Sequence, residues 1–458
     1  MSFQNKSKSR QAQKIVNIDV LDQINFNAAG LDIGAAEIWA SVPEDRSEQP
    51  VQVFPTFTVD LHRLADWLEG CGIDTVAMES TGVYWIPVYD ILEARGFKVY
   101  LVNARHIKHV TGRKSDILDC QWIRQLHTYG LLTASFRPES DMLALRSYLR
   151  HRDNLIRYRS AHIQHLQKTL HLMNLQLTNV LSDITGQTGL QIIRAIVAGE
   201  HDPVKLAQYR DPRCRSSQDE IAKALTGHYR QEHLFSLKQA LELHDFYTQQ
   251  IQACDTELER QYSVIKPHFD EPLPPLPPAT RKQRRQGNAP QFDVRLSLYQ
   301  LTGVDLTLID GLEVLSVQTI LSEVGLDMSQ WPSVKHFTSW LRLAPDNDIS
   351  GGKVLRRHTP KTQNRATQAF KMAAQSLSRS NSALGGYYRR MRAKHGAPKA
   401  ITATAHKLAR IFYFMVKNRK TYHDPGQDYY EQKYRERVIN NLKRRAKELG
   451  MDLVPSPA

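Results

Sequence analysis

The 458-residue chain has no Cys-x-x-Cys pair; its four cysteines stand apart at Cys71, Cys120, Cys214 and Cys254. That spacing argues against a zinc ribbon or a disulfide framework. No apolar run approaches the ~20 residues that span a bilayer. Basic residues near the start (Lys6, Lys8, Arg10 and Lys14) are not followed by the apolar stretch of a secretory signal. A cytoplasmic protein with a disordered basic arm over 1–27 is therefore expected. Acidic charge is in deficit: 61 Lys and Arg face 47 Asp and Glu, a net charge of +14. Such an excess favours polyanion partners through phosphate neutralisation and counterion release. It does not separate a nucleic-acid enzyme from other basic proteins. The apolar share of 41% is that of a globular chain, and the length suggests two to four domains.

What is present falls into segments. Over 28–140 the pattern is α/β. Short β-rich runs at 29–42, 51–59, 74–78 and 97–102 alternate with helical patterns at 60–69, 85–95 and 116–126. Glycines Gly70, Gly72 and Gly96 mark helix ends. This order suits a mixed sheet with flanking helices. Over 141–262 two long helical stripes are expected. The first runs through Leu145, Leu149, Ile156, Ile163, Leu166, Leu170 and Met173 up to about residue 180, with Arg152 and Arg159 in its gaps. The second runs through Leu234, Leu237, Leu241, Thr248, Ile251 and Leu258. An antiparallel pair, a coiled-coil dimer and an ordinary bundle all fit. The run Glu271–Pro278 with five prolines and two leucines, followed by Arg281-Lys282-Gln283-Arg284-Arg285, reads as an extended basic linker within 263–298. A mostly helical part follows over 299–425. There, Ile309-Asp310-Gly311-Leu312 is half of a helix-hairpin-helix or a plain αα-turn. A basic helical tail closes the chain over 426–458.

Four acids carry a candidate chemistry. Asp32 lies inside an apolar strand pattern, where acids are depleted. Glu79 closes the next strand. Asp116 and Asp119, three apart on a helix, face the same way. Converging carboxylates repel one another unless hard cations lie between them, and two such ions serve phosphodiester chemistry. Sugar kinases and actin-like ATPases share the opening Asp-Ile-Gly but need glycine-rich phosphate loops that are absent here. Further on, Ser350 precedes Gly351 and Gly352, with Lys353, Arg356, Arg357 and Lys361 nearby. The basic residues favour phosphate and would activate the serine for attack on a phosphodiester. A phosphate-binding turn without a covalent step is the competing reading. No Ser-His-Asp arrangement is legible.

Together, Leu31-Asp32-Ile33-Gly34, Met78-Glu79-Ser80-Thr81-Gly82, the stretch Lys114–Trp122 around Asp116 and Asp119, and Ser339–Lys353 around Ser350 resemble the DEDD transposases of insertion sequences, insertion-sequence family one-ten. The resemblance covers roughly 28–180 and 299–420. It implies an N-terminal RuvC/RNase H-like domain binding two Mg²⁺ (with Mn²⁺ as a substitute) through Asp32, Glu79, Asp116 and Asp119. It also implies a coiled-coil middle supporting dimers and tetramers, and a C-terminal transposase domain whose Ser350 links covalently to DNA. A structured noncoding bridge RNA would pair with donor and target DNA, in a bacterial cytoplasm and at its nucleoid. Gly351, Gly352, Lys353, Arg356, Arg357 and Lys361 would contact nucleic acid. Three features depart from the pattern: the basic arm before residue 28, the proline-rich linker with its Arg281–Arg285 cluster, and Lys361-Thr362-Gln363-Asn364 where relatives carry a glycine before the asparagine. The main rival is a metal-dependent junction endonuclease using the acids alone; a catalytically silent binding protein is the other.

Overall fold

The computed structural model describes residues 21–80, 82–103, 116–279, 287–359 and 362–454. The expected basic arm lies outside the described residues up to residue 20, as do the Arg281–Arg285 cluster and Lys361. The chain forms two compact units, Met1–Arg137 and Pro138–Ala458.

The first unit is a five-stranded mixed sheet with helices on both faces. Its strands are β1 (Ala28–Ile33), β2 (Glu37–Ser41), β3 (Val51–Pro55), β4 (Thr75–Glu79) and β5 (Lys98–Val102), in the order β3-β2-β1-β4-β5. The β1–β2 and β2–β3 pairs are antiparallel; β1–β4 and β4–β5 are parallel. The helices are α1 (Thr58–Gly70), α2 (Trp85–Ala94) and α3 (Asp116–Thr128). Alternate residues of each strand face opposite ways, and the two faces bury different partners. Leu31, Ile33, Val76, Met78 and Leu101 pack with Leu61, Leu64, Leu68, Val88 and Leu92 of α1 and α2. Ala77 and Val102 pack with Ile123 and Leu126 of α3. The chain just before β1 is held as well: the amides of Ile24 and Asn25 both donate to the Thr128 carbonyl at 2.9 Å.

The second unit is built on two long helices, α4 (Ser140–Leu172) and α5 (Gln231–Val264). They lie side by side and antiparallel: Tyr148 meets Glu257, Arg152 meets Asp255 and Arg159 meets Thr248. The buried ion pair of Arg152 and Asp255 explains the gap in the first apolar stripe. The first helix stops at Leu172, short of the expected 180. Asn174 takes a left-handed conformation (φ 56°), which turns Leu175 and Leu177 into a core with Leu166, Leu170, Ile192, Ile193, Leu237 and Leu241. Short helices at Leu177–Val180, Gln187–Val197, Pro203–Ala207 and Gln218–Ala224 fill that end.

The proline-rich stretch that follows is bound to its neighbours. Tyr299 Oη donates to the Pro274 carbonyl and a nitrogen of Arg295 to that of Pro277, both at 2.9 Å. The remaining elements are α6 (Val294–Thr302), α7 (Val314–Val324), α8 (Val334–Trp340), a hairpin of β6 (Asp346–Ser350) and β7 (Lys353–His358), then α9 (Arg365–Ser376), α10 (Ala383–His395), α11 (Ala397–Asn418) and α12 (Gly426–Glu448). The glycine turn at Gly311 is pressed on α9: a Cβ there would lie 2.7 Å from the Ala373 carbonyl, and Asp310 is buried. This turn is a packing feature. Arg146 donates to the Ser322 and Glu323 carbonyls at the end of α7, and Arg150 pairs with the Glu323 carboxylate at 2.8 Å. Two cations of the basic stripe on α4 thus serve the fold. No described helix is long and apolar enough to cross a membrane.

Candidate active site

Asp32 and Glu79 occupy matching places on neighbouring parallel strands. Leu31 pairs with Met78 in the β1–β4 register, so each acid is the next residue toward the carboxyl edge of the sheet. Adjacent strands run about 4.8 Å apart. The buried Leu31 and Met78 face α1 and α2, so by alternation both acids face the side covered by α3. Both are half-buried.

Helix α3 brings the third acid to that side. It crosses β1 at Gly30, where an added Cβ would lie 2.3 Å from the Arg124 amide nitrogen and 2.4 Å from the Cys120 carbonyl oxygen. Only a residue without a side chain allows this approach. The crossing sets the first turn of α3 toward the carboxyl edge, with Asp119 half-buried in it. The Cys120 thiol reports the result: burial, and next to it the charge of Asp32, push its pKa up to about 12. Arg124 Nε donates to Ser41 Oγ at 3.1 Å, tying the helix to β2. An acid in a helix's first turn also complements the helix dipole, so its place has a structural benefit too.

Asp116 is the first residue of α3; its side chain lies outside the description. Among the described residues no three carboxylate, histidine or cysteine side chains form a metal-holding group. Asp32, Glu79 and Asp119 share a face and an edge without closing on a common point. Their chemistry, half-buried carboxylate oxygens on one side of a sheet edge, fits a hard divalent cation.

Ser350 ends β6 at the tip of the β6–β7 hairpin, directly opposite Lys353. The two residues between them, Gly351 and Gly352, have φ of 55° and 74°, the left-handed pair that a two-residue hairpin turn requires. A Cβ at either would meet no atom within 4 Å, so conformation alone explains these glycines. The register slips between Asp348 and Ile349, a bulge of the kind that re-aims side chains. Ser350, Lys353 and Arg356 are all exposed; the side chain of Arg357 lies outside the description. The hairpin's base is firm. Leu341 and Leu343 are buried, and Thr367 Oγ1 donates to the Leu341 carbonyl at 2.7 Å. Asn364 caps α9 by accepting from the Thr367 amide, and Arg365 pairs with Asp153 of α4. The asparagine of the departing Lys-Thr-Gln-Asn stretch is thus a helix cap.

Two features went unread in the sequence. Gly30 carried a signal, an isolated glycine in a strand pattern. So did the tip of the hairpin, a Gly-Gly pair.

Residues 29–175 match a family model described as a transposase and named for the DEDD transposases of IS110. Residues 305–389 match one described as the transposase IS116/IS110/IS902 family. The first span holds all four acids and the second holds Ser350. No curated protein matches the chain.

Proposed function

The chain belongs to the IS110 family of transposases and is a DNA transposase, and from that premise we propose that it cuts and rejoins DNA through a RuvC-like carboxylate site and a covalent serine. The observation that carries this reading is the pairing of Asp32 and Glu79 at adjacent strand ends beneath the helix that bears Asp116 and Asp119. The strand order, with three antiparallel strands followed by two parallel ones, supports a RuvC/RNase H-like fold. When bound, two Mg²⁺ would neutralise the carboxylates and polarise the scissile phosphate.

The chain's own residues then divide the work. Asp32, Glu79, Asp116 and Asp119 would hold the metal side. Gly351 and Gly352 let a phosphate approach the tip of the hairpin, and Lys353 and Arg356 offset its charge. Ser350 Oγ attacks phosphorus: one Oγ–P bond forms, one P–O bond to the strand breaks, and the freed strand end leaves as a hydroxyl. The hydroxyl proton of Ser350 passes to solvent, and the departing strand oxygen takes one proton from solvent. A hydroxyl from the other strand reverses the step and restores the phosphodiester. No net phosphoester bond is lost, so rejoining needs no added energy source.

In this reading the chain divides as 28–140 for the carboxylates, 141–262 for assembly into dimers and tetramers, and 299–425 for the serine. A structured RNA supplies sequence recognition by base pairing, and the protein reads backbone and shape. Asp32→Asn, Glu79→Gln or Asp119→Asn should each lower Mg²⁺-dependent strand cleavage by at least about 10²-fold, since each removes charge where charge must be fixed. Binding of the same DNA should persist. Full cleavage by all three variants would overturn the carboxylate site.

A further inference from the structure

Among the described residues helix α12 is held mainly by its first turns. Its first turns pack on α10: Tyr430 meets Tyr387 edge-on at 6.2 Å, Arg389 donates to Gln427, and Arg390 lies over the Tyr434 ring. A Cβ on Gly386 would lie 3.1 Å from the Tyr430 ring, so the contact is close. No residue of the helix is fully buried, and beyond Tyr434 the ion pairs of the described residues stay within it.

The free part is cationic, and its acids are already taken. Glu436 pairs with Lys433 at 3.1 Å and Glu448 lies 4.0 Å from Arg444. Arg437, Lys443, Arg445 and Lys447 form no ion pair among the described residues. The anchor adds more positive charge. Lys407 of α11 sits 4.0 Å from the centroid of the same Tyr387 ring that holds Tyr430. Burial, then the charges of Arg437 and Arg410, hold the Lys407 pKa below its usual range. Arg390 keeps one guanidinium nitrogen buried without a hydrogen-bond partner. Like charges gathered across two helices, in no ion pair among the described residues, cost stability unless an anion joins them.

We propose that the free half of α12, with Lys407 and Arg410 of α11, is a clamp for the phosphate backbone of duplex DNA beyond the reacting strands. From Arg437 to Lys447 the helix rises roughly 15 Å, which matches four to five phosphates spaced about 3.4 Å along one strand. A second copy of this helix would set like charges against each other, and the exposed Ile439 and Leu442 are too few for a membrane face. The choice of duplex DNA rests on the DNA-processing reading; the anion site itself does not.

The test uses the full chain and a 30-base-pair duplex, with binding followed by fluorescence anisotropy across a salt series. The variant carries Arg437→Gln, Lys443→Gln, Arg445→Gln and Lys447→Gln. Its affinity should fall about 10-fold or more near 0.1 M salt, and the slope of log affinity against log salt should drop by about three to four. A charge-preserving variant, Arg437→Lys with Lys443→Arg, should bind as wild type does. Unchanged affinity and slope would overturn the proposal. So would a loss confined to a structured RNA, to anionic vesicles or to oligomeric mass. Cleavage at saturating DNA and low salt should survive in the same variant, because α12 is outside the cutting chemistry. Failure of wild type to cleave would count against the proposed function and leave the clamp result standing.

Discussion

Gly30 of β1 lies against the backbone of Arg124 in α3, with room for no side chain between them. This contact sets how far the first turn of α3 reaches over the strand ends of Asp32 and Glu79. Gly30→Ala puts a Cβ into backbone atoms that cannot rotate away, so the helix must shift. Overpacking of this kind costs about 1–3 kcal/mol, and a shift near 1 Å at a reacting centre costs on the order of 10²-fold in rate. Thermal unfolding and Mg²⁺-dependent cleavage measured together should both fall. A variant with wild-type cleavage would show that the crossing does not set the carboxylate geometry.

Arg152 and Asp255 form a buried ion pair inside the α4–α5 seam, and Arg152 also donates to the Asn288 carbonyl at 2.9 Å. Removing one partner strands a charge in the interior. Arg152→Ala should destabilise the second unit by roughly 3–5 kcal/mol. The double change Arg152→Met with Asp255→Leu should recover much of that loss, since both charges leave together. Urea unfolding of the two variants checks this. Equal destabilisation by the single and double changes would mean that the pair matters for shape more than for charge.

His127 gives a pH dependence to the first unit. Thr75 Oγ1 donates to the Lys98 carbonyl at 3.0 Å, so the ring's Nε2–H donates to Thr75 across 2.8 Å. Burial first, then the charge of Lys98, holds its pKa down to about 4 from 6.5. Above pH 6.5 the ring is neutral whether folded or unfolded, and there is no penalty. As pH falls from 6.5 to 4 only the unfolded chain takes the proton, so stability declines by about 1.4 kcal/mol per unit, to a total of about 3 kcal/mol. Below 4 the loss levels off. Unfolding of wild type and His127→Gln compared across that window should diverge by this amount; parallel curves would contradict it.

The sheet, its helices and the long helical pair were legible because each buries a stripe at the period of its element. Leu61, Leu64 and Leu68 define α1, and Leu166 and Leu170 the end of α4. The partner of Arg152 was not legible. Asp255 sits in the corresponding gap between Ile251 and Leu258, and only the antiparallel register joins the two gaps. The β6–β7 hairpin was hidden for a different reason. Its two runs, Asp346–Ser350 and Lys353–His358, are mostly polar and charged in sequence, so no apolar alternation marks it. Asp32 stood out as an acid in an apolar strand pattern, Glu79 as an acid closing a strand, and Asp116 and Asp119 as a pair three apart on a helix. Their shared face followed only from which strand each ended and where Gly30 lets α3 cross.

The central claim is that Ser350 and the carboxylates act in one strand-exchange reaction. The direct measurement is denaturing electrophoresis of the full chain after incubation with Mg²⁺, its element's junction DNA and the flanking noncoding RNA. The account predicts a protein–DNA adduct that survives denaturation, and its loss in both Ser350→Ala and Asp119→Asn. Cleavage without an adduct, persisting in Ser350→Ala, would contradict the covalent serine and leave a metal-dependent nuclease.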